Sequence, residues 1–341
     1  MTRQVGTTLA LLAGATLLFP RHARSQTDEE DEREAGAFFE VAYGWTAVHG
    51  NDVHVGDRTS VGSMGLFDDS TFEPLGTRMS TEWMPYVRGG YRGVAWGFEG
   101  EFWRVDTGGA VGGSFTNSLF GRRREMVQLF DVWYGEEADE TSFETSNNLK
   151  VWSFRLDVTR RIARTLSVRV GLHLAEVENE RTDQVSVSSA FPFFDLFGEN
   201  LSFETTARAR IDGQLLGPSV GVGGTALIGE FVRLGYSVSQ SVLFRNLSHE
   251  ADVEQTINLP FLPAVTFDTM RSRRASIPVT DLRISFSFDI GSHLSIGLFG
   301  FASVWHDTPT ALELSIPFEQ WEEVDRTLVF ASVGPMVTVR F

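Results

Sequence analysis

Cysteine is missing from all 341 residues, so neither a disulfide framework nor a thiolate metal site can be built. Lysine is nearly absent beside arginine, with Lys150 standing alone. Beyond the first two dozen residues no stretch approaches the ~20 apolar residues that a membrane-crossing helix needs. The HExxH and phosphate-loop patterns are also missing, and the one GxSxG string, GPSVG at 217–221, falls inside a long strand-like run rather than at a strand-to-helix elbow, so no catalytic residue, cofactor or metal is expected. A basic surface is missing too: without Arg3, Arg21 and Arg24 the chain carries 26 basic against 45 acidic residues, a net −19. Nucleic acid is excluded as a partner, because phosphate contacts need positive charge.

What is present begins with a targeting pattern. Arg3 precedes the apolar run from Val5 to Phe19, and Ala23-Arg24-Ser25 forms a small-x-small cleavage site, so 1–25 is expected to be a signal peptide. The acidic run TDEEDERE follows, and 26–35 is expected to be a disordered tail. The remaining span, 36–341, is expected to form one domain.

From Gly36 onward the dominant period is two, the signature of strands with one apolar face. Phe39, Val41, Tyr43 and Trp45 alternate with Glu40, Ala42, Gly44 and Thr46; Trp152, Phe154, Leu156 and Val158 with Ser153, Arg155, Asp157 and Thr159; Leu282, Ile284, Phe286, Phe288 and Ile290 with Asp281, Arg283, Ser285, Ser287 and Asp289. In 205–228 the polar set is Arg208, Arg210, Asp212 and Gln214. About ten such strands occur, each near the ~10 residues that cross a bilayer when tilted. Near-zero mean hydropathy suits such strands, which are apolar at every second position only. The second face reads as polar and charged, as a wet lumen would be.

Connections alternate in length. Tight joins fall at Arg92-Gly93, Ala163-Arg164-Thr165, Gly229-Glu230 and Gly291-Ser292-His293, whereas 50–77, 106–147, 178–204, 247–272 and 307–326 are long. Those five long segments sum to −22 and the tail to −5, leaving +8 on strands and short turns. The pattern predicts an all-β, transmembrane, antiparallel up-and-down β-barrel in the cell outer membrane. It would have about ten strands, twelve if 106–147 hides a hairpin, with short periplasmic turns and long extracellular loops. The closing strand is GPMVTVRF, with Val337, Val339 and Phe341 toward lipid; it is expected to pair with the strand around Phe39 to Trp45.

Several blocks resemble the Legionella-type major outer membrane protein family: LLGPSVGVGGTALIG (215–229) with RLGYSVSQSVLF, SIPVTDLRISFSF (276–288) with Trp305 after it, and VGPMVTVRF, in that order. The loops are unlike. The resemblance implies a pore-forming or surface barrel without catalytic residues. A terminal Phe341 further resembles the recognition signal read by the barrel assembly machinery.

Candidate pore-lining residues are those of inward parity: Glu82, Arg88, Glu99, Glu101, Arg155, Asp157, Arg169, Arg208, Arg210, Arg233, Arg283 and Asp289. Opposed rings of Arg and carboxylate filter solutes in channels, which points to a porin-like passive channel for small polar solutes. The same charges could instead pair and close the lumen, since small barrels are filled by side chains; the chain would then be a structural or adhesive surface barrel working through its loops. The span 118–135 has apolar residues at helical spacing with Arg122, Arg123 and Arg124 grouped apart, and predicts a helix, either folded into the mouth as a constriction or packed at the surface on the other loops. Phe191-Pro192-Phe193, Leu259-Pro260-Phe261 and Ile316-Pro317-Phe318 are expected to cap the barrel, and His173 to be a hydrogen-bonded lining residue. Ser303, His306 and Asp307 make no triad, because Ser303 and His306 differ in parity. Remaining expected partners are outer-membrane lipid and lipopolysaccharide.

Overall fold

Alternation of apolar and small or polar residues produces strands here because it lets one face meet lipid while the backbone pairs sideways. The computed structural model describes residues 36–51, 53–62, 71–117, 123–129, 132–134, 140–189, 201–228, 232–257, 265–315 and 320–341. The signal peptide, the acidic tail and the three Pro-Phe clusters expected from sequence lie outside them.

Fourteen strands are described: β1 Gly36–His49, β2 Val53–Gly62, β3 Thr71–Thr77, β4 Glu82–Arg92, β5 Trp96–Thr116, β6 Arg123–Leu129, β7 Val132–Tyr134, β8 Glu140–Ala163, β9 Leu166–Ser189, β10 Leu201–Ile228, β11 Val232–Ile257, β12 Val265–Ile290, β13 Leu294–Ser315 and β14 Gln320–Arg340. Ten close into an antiparallel barrel in the order β1-β14-β13-β12-β11-β10-β9-β8-β5-β4, and β4 returns to β1. The seam joins β1 to β14, the expected pair, with Val41 opposite Val337 and Phe39 opposite Val339. Phe341 adds one bond beyond β14, its N–H donating to the Ala37 carbonyl at 2.9 Å.

The short turns after Arg92, at 163–165 and at 291–293 fall where expected, while Gly229-Glu230 lies outside the described residues. At the β12–β13 turn Gly291 takes φ +71, a conformation that L side chains rarely adopt. Outward residues form an exposed apolar belt, including Tyr43 and Trp83 stacked at 5.2 Å. On β12 the belt runs from Leu282 to Ile290. Nine residues at ~3.3 Å each and ~40° tilt span about 23 Å, close to the ~25 Å apolar band of such barrels.

The long segments differ from expectation. Most of them are strand rather than loop: β9 and β10 stay paired up to Ser189 and Leu201, and β10 is 28 residues long. Beyond the belt the outer face meets water instead of lipid, so its apolar signal stops while the hydrogen-bond ladder continues. Pairing of β12 with β13 ends at Val279 and Trp305, and that of β4 with β5 at Tyr86 and Trp103. Above that level the wall is the sheet β5-β8-β9-β10-β11-β12 plus the β13–β14 hairpin.

No helix occupies the described part of 118–135. Residues 123–129 and 132–134 are β6 and β7, in a separate sheet of order β3-β2-β6-β7, so the hairpin adds no strands to the barrel. Helical and strand spacing are ambiguous over short apolar runs, and antiparallel pairing to β2, with Arg58 opposite Val127, decides between them. Arg123 and Arg124 lie on β6, while Arg122 lies outside the described residues. The small sheet packs against the inner face of the wall: Leu75 and Thr77 are buried, and the Arg58 guanidinium sits 5.9 Å over the Phe115 ring. Asn51, fully buried, accepts from Asn147 Nδ2 at 3.1 Å through its carbonyl.

The absence of native cysteine gives the seam a clean test. In Val41→Cys/Val337→Cys, oxidation should give a crosslinked species of altered gel mobility that reverts on reduction; a chain that never crosslinks would show that these strands are not neighbours.

Candidate functional site

The inward parity is where the polar residues of the belt region converge, and it is built in layers. Nearest the short turns, Asp289 is shared by Arg233 at 3.2 Å and Arg340 at 3.1 Å, and Ser295 donates to it at 2.7 Å. Next, Glu99 is gripped by Arg88, lies 3.2 Å from Arg169 and 3.9 Å from Arg92. Glu40 binds Arg283 closely and lies 3.9 Å from Arg88. Arg88, Arg155, Arg169 and Arg283 are all 4% exposed or less.

Deeper still, Arg155 is the hub. Its guanidinium meets Asp281 at 2.7 Å, Glu101 at 2.8 Å and Asp157 at 3.1 Å, and also donates to Ser239. Ser219 donates to Asp157 at 2.7 Å, and Ser303 to Asp281 at 2.5 Å. These serines give the surplus carboxylate oxygens donors, as buried charge requires. His173 is bonded to Ser153 at 2.8 Å, as a lining residue would be.

Above this network the interior turns apolar. Tyr86, Trp103, Phe299, Phe301, Trp305 and Phe330 form one aromatic layer, with Trp103 at 5.3 Å from Phe330, 5.6 Å from Phe301 and 6.3 Å from Trp305. All six are 4% exposed or less, and Met84, Leu149, Leu215, Leu243 and Ile277 continue the block upward. Gly44 makes room for it, since a Cβ there would lie 2.9 Å from the Phe299 ring. The layers are joined by the Trp305 indole N–H, which donates to Ser303 at 2.8 Å.

The structure therefore places Arg88, Glu99, Glu101, Arg155, Asp157, Arg169, Arg233, Arg283 and Asp289 together in the interior. Glu82 sits higher, on inward parity but only partly covered, and accepts from Ser80 at 3.0 Å. Arg208 and Arg210 are a correction: both are exposed on the outer face, where Arg210 meets Glu178 at 3.0 Å. They lie above the belt, and there the inner parity is taken by Ala207, Ala209 and Ile211. The wholly polar inner face expected from sequence is interrupted at mid-barrel by this apolar block, and polar residues such as Asn147, Asn179, Arg181 and Asp183 return above it.

Sequence reasoning left out Glu40, Asp281 and the aromatic layer. The signal was available by extending parity two residues at a time: Glu101 leads to Trp103, Arg88 to Tyr86 and Met84, and Ser303 to Trp305 and Phe301. Ser303 is spoken for by Asp281 and Trp305, His306 has the opposite parity, and Asp307 sits at φ 49. In the upper wall, burial pushes the Asp183 carboxyl up, against the pull of the Arg181 guanidinium 2.7 Å away.

No protein-family model and no curated protein matches this chain. Among solved structures it is similar to the outer membrane protease OmpT from Escherichia coli, at 8% identity and TM-score 0.41, covering 94% of this chain and 99% of that one. The Pseudomonas putida toluene transporter TodX matches at 8% identity and TM-score 0.29, over 89% of both chains. A Pseudomonas aeruginosa FadL homologue gives 9% and 0.29, over 89% of this chain and 90% of that one. At such scores none of them carries an argument about activity, and the fold rests on the strand pairing itself.

Inner and outer arginines should behave oppositely. Arg155→Leu leaves three buried carboxylates without their hub and should lower unfolding stability by about 3–5 kcal/mol in urea titrations of detergent-refolded protein. Arg210→Leu removes a half-exposed surface pair and should change it by less than about 1 kcal/mol. Equal losses would contradict the placement.

Proposed function

We propose that this chain is an outer-membrane β-barrel whose lumen is closed, so that it works through the strand extensions beyond the membrane as a structural or adhesive surface protein. The observation that carries this is the aromatic layer. Six rings and the aliphatic side chains above them pack together in the interior over a paired charge network, and packing of that kind supports a closed lumen. The exposed apolar belt and the closure of the ten-stranded barrel at that level support a membrane location, and the start of β1 and the end of β14 lie on the short-turn side, which is periplasmic in this reading.

The extracellular reading has its own support. On the outer face Glu176, Glu178 and Glu180 follow one another along β9, and Glu250, Asp252 and Glu254 along β11, flanking Arg208 and Arg210 on β10. Such cross-strand charge ladders suit a wet, protruding wall. Kinship with the Legionella-type major outer membrane proteins belongs to the same proposal, since the resembling blocks fall on β10, β12 and β14. So does recognition of the terminal Phe341 by the assembly machinery: deleting it should reduce surface levels of folded protein, measured by heat-modified gel mobility of membrane fractions.

Planar-bilayer recording separates this from a porin-like passive channel. The unaltered protein should pass no current above lipid background, whereas Trp103→Ala/Trp305→Ala/Phe330→Ala should open steps of conductance. Steady current from the unaltered protein would overturn the closed reading and restore the porin-like one.

A further inference from the structure

Below the charge network the turn end of the lumen is hollow. A cavity of about 100 Å³ opens there, and among the described residues its lining holds eight arginines against two glutamates, Glu40 and Glu99. The imbalance is one of arrangement as well as number. Four guanidinia, those of Arg88, Arg92, Arg169 and Arg283, share those two carboxylates. The other buried acids of the network, Glu101, Asp157 and Asp281, gather around Arg155 on the far side, and Asp183 pairs with Arg181 in the upper wall. At the mouth Asp289 is divided between two arginines. A chain whose barrel, tail and loops together are strongly acidic thus gathers positive charge in one enclosed place.

Donors are also left over. Arg169 is 3% exposed, and neither its Nε nor that of Arg283 has an acceptor among the described residues. A buried guanidinium with unused N–H groups is costly, and the rigid Arg fork matches oxyanions in a bidentate manner. Arg92, 30% exposed at the opening and stacked 4.2 Å over Phe38, is positioned to meet whatever enters.

We infer that this cavity is a binding site for a multivalent oxyanion, bearing phosphate or carboxylate groups, with Arg92 and Arg169 as its principal holders. Two sources supply that chemistry. One is a free oxyanion of the periplasm. The other is this chain's own carboxylates at Asp28–Glu34, which precede Gly36, the residue paired with Arg92 at the mouth. At ~3.6 Å per residue at most, Glu34 is tethered within about 7 Å of Gly36.

The test is calorimetric titration of the full chain, refolded in neutral detergent at low salt, with inorganic pyrophosphate. A second chain carries Asp28→Asn, Glu29→Gln, Glu30→Gln, Asp31→Asn, Glu32→Gln and Glu34→Gln. Equal saturable binding to both chains assigns the site to a free oxyanion. Binding that appears, or tightens at least tenfold, only after neutralisation assigns it to the acidic segment. In either case Arg92→Gln should weaken binding about tenfold while the shift between boiled and unboiled gel mobility stays intact. Absence of saturable heat in both chains, or binding indifferent to Arg92→Gln and Arg169→Gln, overturns the inference.

Discussion

Everything in this molecule depends on one constraint: within hydrocarbon no backbone N–H or C=O can be left without a partner. The β1–β14 and β1–β4 ladders satisfy it by joining the first described strand to the last, so the sheet has no edge where lipid would meet it. Closure then fixes every side chain's direction, because alternate residues point to opposite faces. Phe39, Val41 and Trp45 go to lipid only because Glu40, Ala42 and Thr46 go inside. The interior is thus composed of what the belt could not accept.

Ten strands at ~4.8 Å spacing and ~40° tilt enclose a backbone cylinder about 20 Å across. Side chains as long as Arg and Trp reach a third of that distance from each wall, so a lumen lined by them is filled. Filling it can be done by charge or by apolar area, and this chain uses both in sequence. Arg155 with its three carboxylates forms a charged layer in which serines supply further donors, and the Trp103–Trp305–Phe330 group forms an apolar one. Trp305 stands at the boundary, its ring among aromatics and its N–H on Ser303, which is the arrangement an amphipathic indole suits.

Much of this was legible in the residues. The count of ten barrel strands, the pairing of the last strand with the first described one, and inward residues of the belt such as Arg88, Glu99, Arg155 and Asp289 follow from alternation, because lipid imposes one unambiguous rule on the outer face. Legibility ended where that rule ended. Above the belt both faces change partners: Glu176, Glu178 and Glu180 look outward to water while Ala175, Val177 and Asn179 turn inward. A reader who equates apolar with outward must stop the strand there or reverse it, which is how Arg208 and Arg210 came to be assigned to the lumen. The β6–β7 hairpin failed for a different reason. Its partner, β2, is some seventy residues earlier in the chain, and pairing at that distance leaves no local trace.

The two ends of the lumen are consequently unlike in kind. Toward the long strand extensions the interior is packed by apolar side chains, and the separate β3-β2-β6-β7 sheet packs against the wall above them. Toward the turns, the interior stays open, polar and rich in arginine, and it communicates with solvent through the mouth beside Arg92. A channel needs both ends to be passable, whereas a one-ended cavity can only bind. If the aromatic layer closes the lumen as proposed, the charges that would read as a selectivity filter in an open barrel have another consequence: they set the chemistry of a pocket entered from the turn end alone.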